Sequence, residues 1–101
     1  MTEAVNDAIA VRDNRDLHRY EVTVDGGLAG ILIYRLNEAD AVITLVHTEV
    51  DRAFRGRHLA DRLARHALDD ARGTGLRVGP DCPFVARFIR AHPEYQDLVA
   101  G

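Results

Sequence analysis

Two periodicities divide the chain. Up to residue 50 apolar and polar positions tend to alternate, which is the period of a strand with one buried face; from residue 59 the apolar positions fall three and four apart, the period of a helix. Ala8–Val11 reads as a short strand closed by the polar turn Asp13-Asn14-Arg15-Asp16. Arg19–Val24 alternates, and Asp25-Gly26-Gly27 after it is a hairpin signal because glycine tolerates positive φ. Leu28–Leu36 is the return strand, with Gly30 inside it as a bulge or a point of close approach. Asn37-Glu38-Ala39-Asp40 turns the chain into Ala41–Val50, the third and longest strand expected. Strict alternation puts Ala41, Ile43, Leu45, His47 and Glu49 on one face of that strand and Val42, Thr44, Val46, Thr48 and Val50 on the other.

In the second half, Leu59, Ala60, Leu63, Ala64, Ala67, Leu68 and Ala71 form one apolar stripe. Asp61, Arg62, Arg65, His66, Asp69 and Arg72 fall on the wet side, with Asp61 and Arg65 spaced as an i,i+4 ion pair. Gly73 and Gly75 are the expected stop. Leu76-Arg77-Val78 is a short strand, Gly79–Pro83 a turn, and Pro83 opens a helix whose buried side is Val85, Phe88 and Ile89. Pro93 ends it, and Pro93–Val99 is read as a last short helix. The fold class is therefore α/β: an antiparallel meander, then a strand–helix–strand crossover that makes its two strands parallel. Residues 1–7 read as a loose terminus and 8–101 as a single domain.

Composition adds limits. Apolar residues at 47% and charged residues at 29% describe a globular chain, and a net charge of -3 gives no bulk attraction to nucleic acid or to an acidic membrane. All 13 basic residues are arginine, which carries no functional weight because codon bias accounts for it as well. The single cysteine, Cys82, excludes an internal disulfide, and no metal set is expected. No stretch has the length of a membrane span or the order of a signal peptide, so a cytoplasmic location is expected.

The stretch with the most chemistry is Val50-Asp51-Arg52-Ala53-Phe54-Arg55-Gly56-Arg57-His58-Leu59-Ala60, which joins the long strand to the first helix. A helix N-terminus presents unpaired N–H groups and partial positive charge, glycine admits an anion close to the backbone, and arginine adds charge. A polyphosphate is the ligand such a turn suits; solvated arginines on a plain strand-to-helix turn are the alternative. Cys82 precedes a helix, a position that sharpens thiol reactivity, although a small buried residue is the commoner fate of a free cysteine.

The same stretch resembles the acyl-CoA pyrophosphate loop of the GNAT superfamily of N-acetyltransferases, whose pattern is Arg/Gln-x-x-Gly-x-Gly/Ala. His47-Thr48-Glu49-Val50, Pro80-Asp81-Cys82-Pro83-Phe84-Val85 and His92-Pro93-Glu94-Tyr95 are similar to segments of one small single-domain subfamily, so the likeness spans roughly residues 8–99. The resemblance implies a GNAT-like fold and acetyl transfer from acetyl-CoA to an amine, with a CoA or acyl-CoA binding module lacking transfer as the alternative. It implies a donor site at Val50, Arg55, Gly56, Arg57, His58, Leu59 and Ala60, with Arg87 reaching toward the adenosine end. Glu49 or His47 would accept the amine proton, Cys82 would relay the acyl group or wall its pocket, and Tyr95 would protonate the leaving thiolate. His58 stands where that pattern has glycine. Larger members insert two helices after the first strand, for which Asp13–Leu17 has no room. The acceptor side should thus be open, or completed by a partner or a second protomer, and the acceptor amine stays unknown.

Overall fold

The computed structural model describes residues 8–100, so the terminus expected at 1–7 lies outside the described residues. Five strands, β1 (Ile9–Asn14), β2 (Arg19–Val24), β3 (Gly27–Asn37), β4 (Val42–Val50) and β5 (Arg77–Pro80), form one sheet in the order β1-β2-β3-β4-β5. The first four pair antiparallel and β5 runs parallel to β4. Between β4 and β5 runs α1 (Leu59–Thr74), and after β5 come α2 (Pro83–Ala91) and a 3-10 segment, Pro93–Leu98. This is the expected meander followed by a crossover.

Local chemistry sets the turns. Asp25 and Gly26 both have positive φ (50° and 85°) between the paired residues Val24 and Gly27, which is the two-residue hairpin that matches strand twist. β1 and β2 are joined by only one 3-10 turn, Arg15–Leu17, capped where the Asn14 side chain accepts from the Leu17 N–H. That short link leaves no helix between them. Gly75, at φ 76°, caps α1 with its N–H on the Ala71 and Arg72 carbonyls, whereas Gly73 stays inside the helix. β3, at 11 residues, is longer than β4 at 9.

Both helices pack on one face of the sheet. Tyr20, Val22, Leu32, Tyr34, Ile43 and Leu45 meet Leu59, Leu63, Ala64, Ala67, Leu68 and Ala71 of α1 and Val85, Phe88 and Ile89 of α2 in one buried cluster. Arg65 does not pair with Asp61 as its spacing suggested. It leans across to α2 and the C-terminal segment, over the rings of Phe88 and Tyr95 (5.4 and 5.9 Å), with Glu94 at 3.9 Å. Arg72 reinforces the same seam through Asp97 and the Glu94 carbonyl. The opposite face of the sheet carries no described element.

Candidate functional site

Strict alternation fails in the middle of β4. Ile33 pairs with His47 but Tyr34 pairs with Leu45, so Val46 is an extra residue and the strand changes phase there. Thr48, opposite Leu32, therefore shares the helix-covered face with Ile43 and Leu45. His47 and Glu49, opposite Ile33 and Ile31, share the open face instead. The expectation that Ile43, Leu45, His47 and Glu49 line one face is corrected. His47 and Glu49 do stand together, with Nε2 and Oε2 3.3 Å apart and side chains 54% and 70% exposed, which leaves them free to meet a ligand.

The bulge coincides with the end of β5. β4 pairs with β5 only over Val42–Leu45, and the Cys82 N–H then closes on the Leu45 carbonyl at 2.8 Å. The Asp51 N–H donates to the Ala29 carbonyl at 2.7 Å, which makes Ile31–Glu49 and Ile33–His47 the hydrogen-bonded pairs with β3. It follows from the antiparallel pattern that the peptide groups of Thr48 and Val50 turn away from β3, toward the side that β5 no longer occupies. A cleft with free backbone groups on one wall thus opens between the two parallel strands. Cys82 sits at its base, buried on the helix side with Sγ 3.4 Å from Thr48 Oγ1. The sheet therefore separates Cys82 from His47 and Glu49.

The arginine–glycine turn lies at the mouth of this cleft. Asp51 accepts from the Ala53 N–H and starts a 3-10 turn at Arg52–Phe54. Gly56 (φ 86°) and His58 (φ 59°) are both left-handed and swing the chain into α1, whose N-terminus has no side-chain cap. The left-handed backbone is the physical reason that glycine suits position 58. The His58 imidazole, 84% exposed, turns toward Asp61 at 3.7 Å, along the helix and not across its end. Arg55 and Arg57 are exposed, with the Arg57 guanidinium over the Phe54 ring at 5.5 Å. Leu59 is buried beneath the turn and Ala60 half-buried.

Two expected site residues are elsewhere. Tyr95 is buried, and its hydroxyl donates to Asp69 at 2.7 Å and receives Arg65 at 3.3 Å. Burial, then the hydrogen bond to Asp69, raises its phenol pKa. That tyrosine fastens the C-terminal segment to α1. Arg87 is an exposed residue of α2, with no described contact to the turn.

Sequence reasoning missed Glu21. It is 3% exposed on the otherwise open face, holding Arg12 Nε at 2.9 Å, Asn14 Nδ2 at 3.0 Å and Arg19 Nε at 2.8 Å. Burial by itself would raise its pKa, but hydrogen bonds from Arg19, Asn14 and Arg12 outweigh that and hold it at about 2. A groove of about 360 Å³ runs beside it along the open face, lined by Arg19, Leu28, Ala29, Gly30, Ile31, Glu49, Val50, Asp51 and Arg55. It joins the candidate base to the turn. Gly30 keeps the strands close here, since a Cβ would meet the Glu49 carbonyl oxygen at 2.9 Å. A cavity of about 260 Å³ at the far end of the strands is different in kind, because the Tyr20 and Tyr34 hydroxyls lining it are already donated to Asp70 and Asp13. Among the described residues no group of three or more His, Cys, Asp or Glu is placed to hold a metal ion, and no helix is long and apolar enough to cross a membrane.

A five-stranded mixed sheet that parts after β4 pairs with β5, with a glycine turn opening the crossover helix, is the architecture of an acetyltransferase-like domain. Residues 19–98 match the family model described as GCN5-related N-acetyl-transferase, and the chain belongs to that family. Over 91 residues it is 32% identical to Protein NATD1 of Bos taurus, covering 89% of this chain and 80% of that protein. The Homo sapiens protein of the same name is 30% identical over 91 residues, with the same coverage. In fold it is similar to a ribosomal-protein-alanine N-acetyltransferase from Brucella melitensis biovar Abortus 2308, at TM-score 0.59 and 18% identity, covering 94% of this chain and 92% of that one.

Proposed function

We propose that the protein binds acetyl-CoA at the turn before α1 and transfers the acetyl group to an amine presented on the open face. The observation that carries this reading is the uncapped N-terminus of α1, approached through Gly56, at the mouth of the cleft where β4 loses its partner. Unpaired first-turn amides of Leu59, Ala60 and Asp61 suit a pyrophosphate, with Arg55 and Arg57 adding charge. The pantetheine arm would follow the free edge of β4, where the Thr48 and Val50 peptide groups can bond an extended amide chain.

In this reading the thioester carbonyl lies beside β4 and the amine arrives from the face of His47 and Glu49. The ammonium form gives a proton to that pair, directly or through water, and the neutral nitrogen attacks the carbonyl carbon. The tetrahedral intermediate loses its excess nitrogen proton to solvent and collapses by breaking the C–S bond, releasing the amide and CoA thiolate, which takes a proton from solvent. Cys82, on the helix side of the sheet, is a wall of the acyl pocket and carries no acyl group.

The alternative is a CoA-binding module without transfer, and the open setting of His47 and Glu49 favours it: no described element encloses an acceptor. Thermal unfolding with acetyl-CoA tests the donor site. At a hundred times the Kd the stability gain should be about 2.7 kcal/mol, and Gly56→Glu should abolish it without unfolding the protein. Release of free CoA in the presence of amines then separates enzyme from binder.

A further inference from the structure

The open face holds more positive charge beside the candidate base than its structure requires. Arg12, which brings both Nε and Nη2 to Glu21 Oε1 (2.9 and 2.8 Å), would by itself balance that carboxylate's single charge, and Asn14 donates to Oε2 at 3.0 Å. Arg19 is a second guanidinium on the same carboxylate, bound through Nε alone at 2.8 Å. Its terminal amino groups have no partner among the described contacts, and its side chain, 26% exposed, lines the same groove as Glu49. The cluster of Arg12, Arg19 and Glu21 is thus a net cation with one arm fixed by a buried carboxylate, which is a preorganised anion receptor.

Register fixes the distance to the base. Glu21, Ile31 and Glu49 form one row across β2, β3 and β4, and Arg19, Ile33 and His47 form the next. Two strand spacings separate the cation from the His47–Glu49 pair, about 10 Å between backbones. The Arg19 and Glu49 side chains both line the groove between them, so a ligand carrying its two charges on a short aliphatic chain matches the span. Ile31 and Ile33 supply an apolar floor between them.

We propose that this groove recognises a small zwitterionic acceptor, an amine carrying a carboxylate a few carbons away, with the ammonium at Glu49 and the carboxylate on the terminal nitrogens of Arg19. The proposal rests on the acetyl-transfer reading only for the fate of the amine; the binding site stands on its own geometry. In the sequence Arg19 opens an ordinary alternating strand, and only the pairing of β2 with β3 and β3 with β4 brings it level with His47.

The test is titration of the ¹⁵N-labelled full chain with 4-aminobutyrate and with 4-aminobutanamide, which keeps the ammonium and removes the negative charge. The acid should perturb the Ile31 and Glu49 amides and bind about tenfold or more tightly than the amide, as a charge-assisted bond implies. Arg19→Met should erase that preference while the thermal shift given by acetyl-CoA stays as in the wild type. Should Arg19→Met fail to fold over the buried Glu21, Arg19→Gln keeps a polar partner for that carboxylate, leaves Arg12 to balance its charge, and is read the same way. Equal affinity for acid and amide, no saturable binding of the acid, or a preference that survives loss of Arg19 would each overturn the proposal. Acid preference without acetylation or an acetyl-CoA shift would instead sink the transferase reading and leave the zwitterion site standing.

Discussion

The two faces of the sheet hold their polar side chains under different constraints. On the helix-covered face each buried hydroxyl is tied to a carboxylate: Tyr20 to Asp70, Tyr34 to Asp13 and Tyr95 to Asp69. On the open face, by contrast, the His47–Glu49 pair stands in solvent, and Arg19 has donors to spare above a buried anion. A polar group whose partners are all internal acts on stability; one left with unused capacity beside a groove can act on a ligand. By that criterion Tyr95 is tied into the scaffold, whereas Glu49 is left available for the role proposed for it, although the sequence offers both as candidates.

The sharpest way to break this contrast is to truncate one apolar residue on each face. Leu45→Ala removes a fully buried side chain and should cost about 3 kcal/mol of unfolding free energy. Ile33→Ala, on the open face, should cost about 1 kcal/mol or less. Urea denaturation of the two variants decides it. Equal losses would mean that something covers the open face in solution, with a second copy of the chain as the first candidate.

Next in size is the exchange of roles between Glu49 and Tyr95. Glu49→Gln should lower acetylation about 100-fold or more, the range of a lost general base, and leave stability within about 0.5 kcal/mol because the side chain is exposed. Tyr95→Phe should do the reverse, losing about 1 kcal/mol for its bond to Asp69 with turnover within about twofold. A large kinetic loss in Tyr95→Phe would return that tyrosine to the active site.

How far the sequence reveals this depends on what each feature needs. Asp25-Gly26 specifies its own turn, and the stripe from Leu59 to Ala71 specifies a helix, because neighbours within a few residues carry the whole signal. The Gly56 turn is legible for the same reason. The bulge at Val46 is not, since a β-branched residue fits either phase of a strand and only pairing with β3 reveals the extra position. Every side-chain direction beyond it, from His47 to Val50, inherits that uncertainty. Glu21 is hidden for a related reason. In the run Arg19-Tyr20-Glu21-Val22 it reads as the wet half of an alternation, and Arg12 and Asn14 become its partners only through the register of β1 with β2.

Acid tests the Glu21 cluster more gently. Its pKa is lower in the folded chain than the value of about 4.3 expected on unfolding, so the unfolded state binds more protons as pH falls. The cluster's contribution is complete above that range and is lost as pH drops toward 2. Stability measured between pH 5 and 2.5 should fall less steeply in Glu21→Gln than in the wild type. Identical slopes would show that the cluster is too well screened to matter and would weaken the case for Arg19 as a fixed receptor.

The smallest effect concerns His58, where the turn departs from the family pattern. A non-glycine residue in the left-handed region is strained by roughly 1–2 kcal/mol, and glycine there adds back about 0.5–1 kcal/mol of chain entropy on folding. His58→Gly should therefore raise stability by about 0.5 kcal/mol, read as a higher urea midpoint at unchanged slope. The imidazole points along α1 toward Asp61, away from the open end of the helix, so removing it should leave the Kd for acetyl-CoA within about threefold. A tenfold weakening would mean that the ring swings over to donate to the phosphates when the donor binds. The histidine would then replace, with a side-chain N–H, the close backbone approach that glycine gives in the usual pattern. The strain at φ 59° would in that case be part of how the turn holds its ligand.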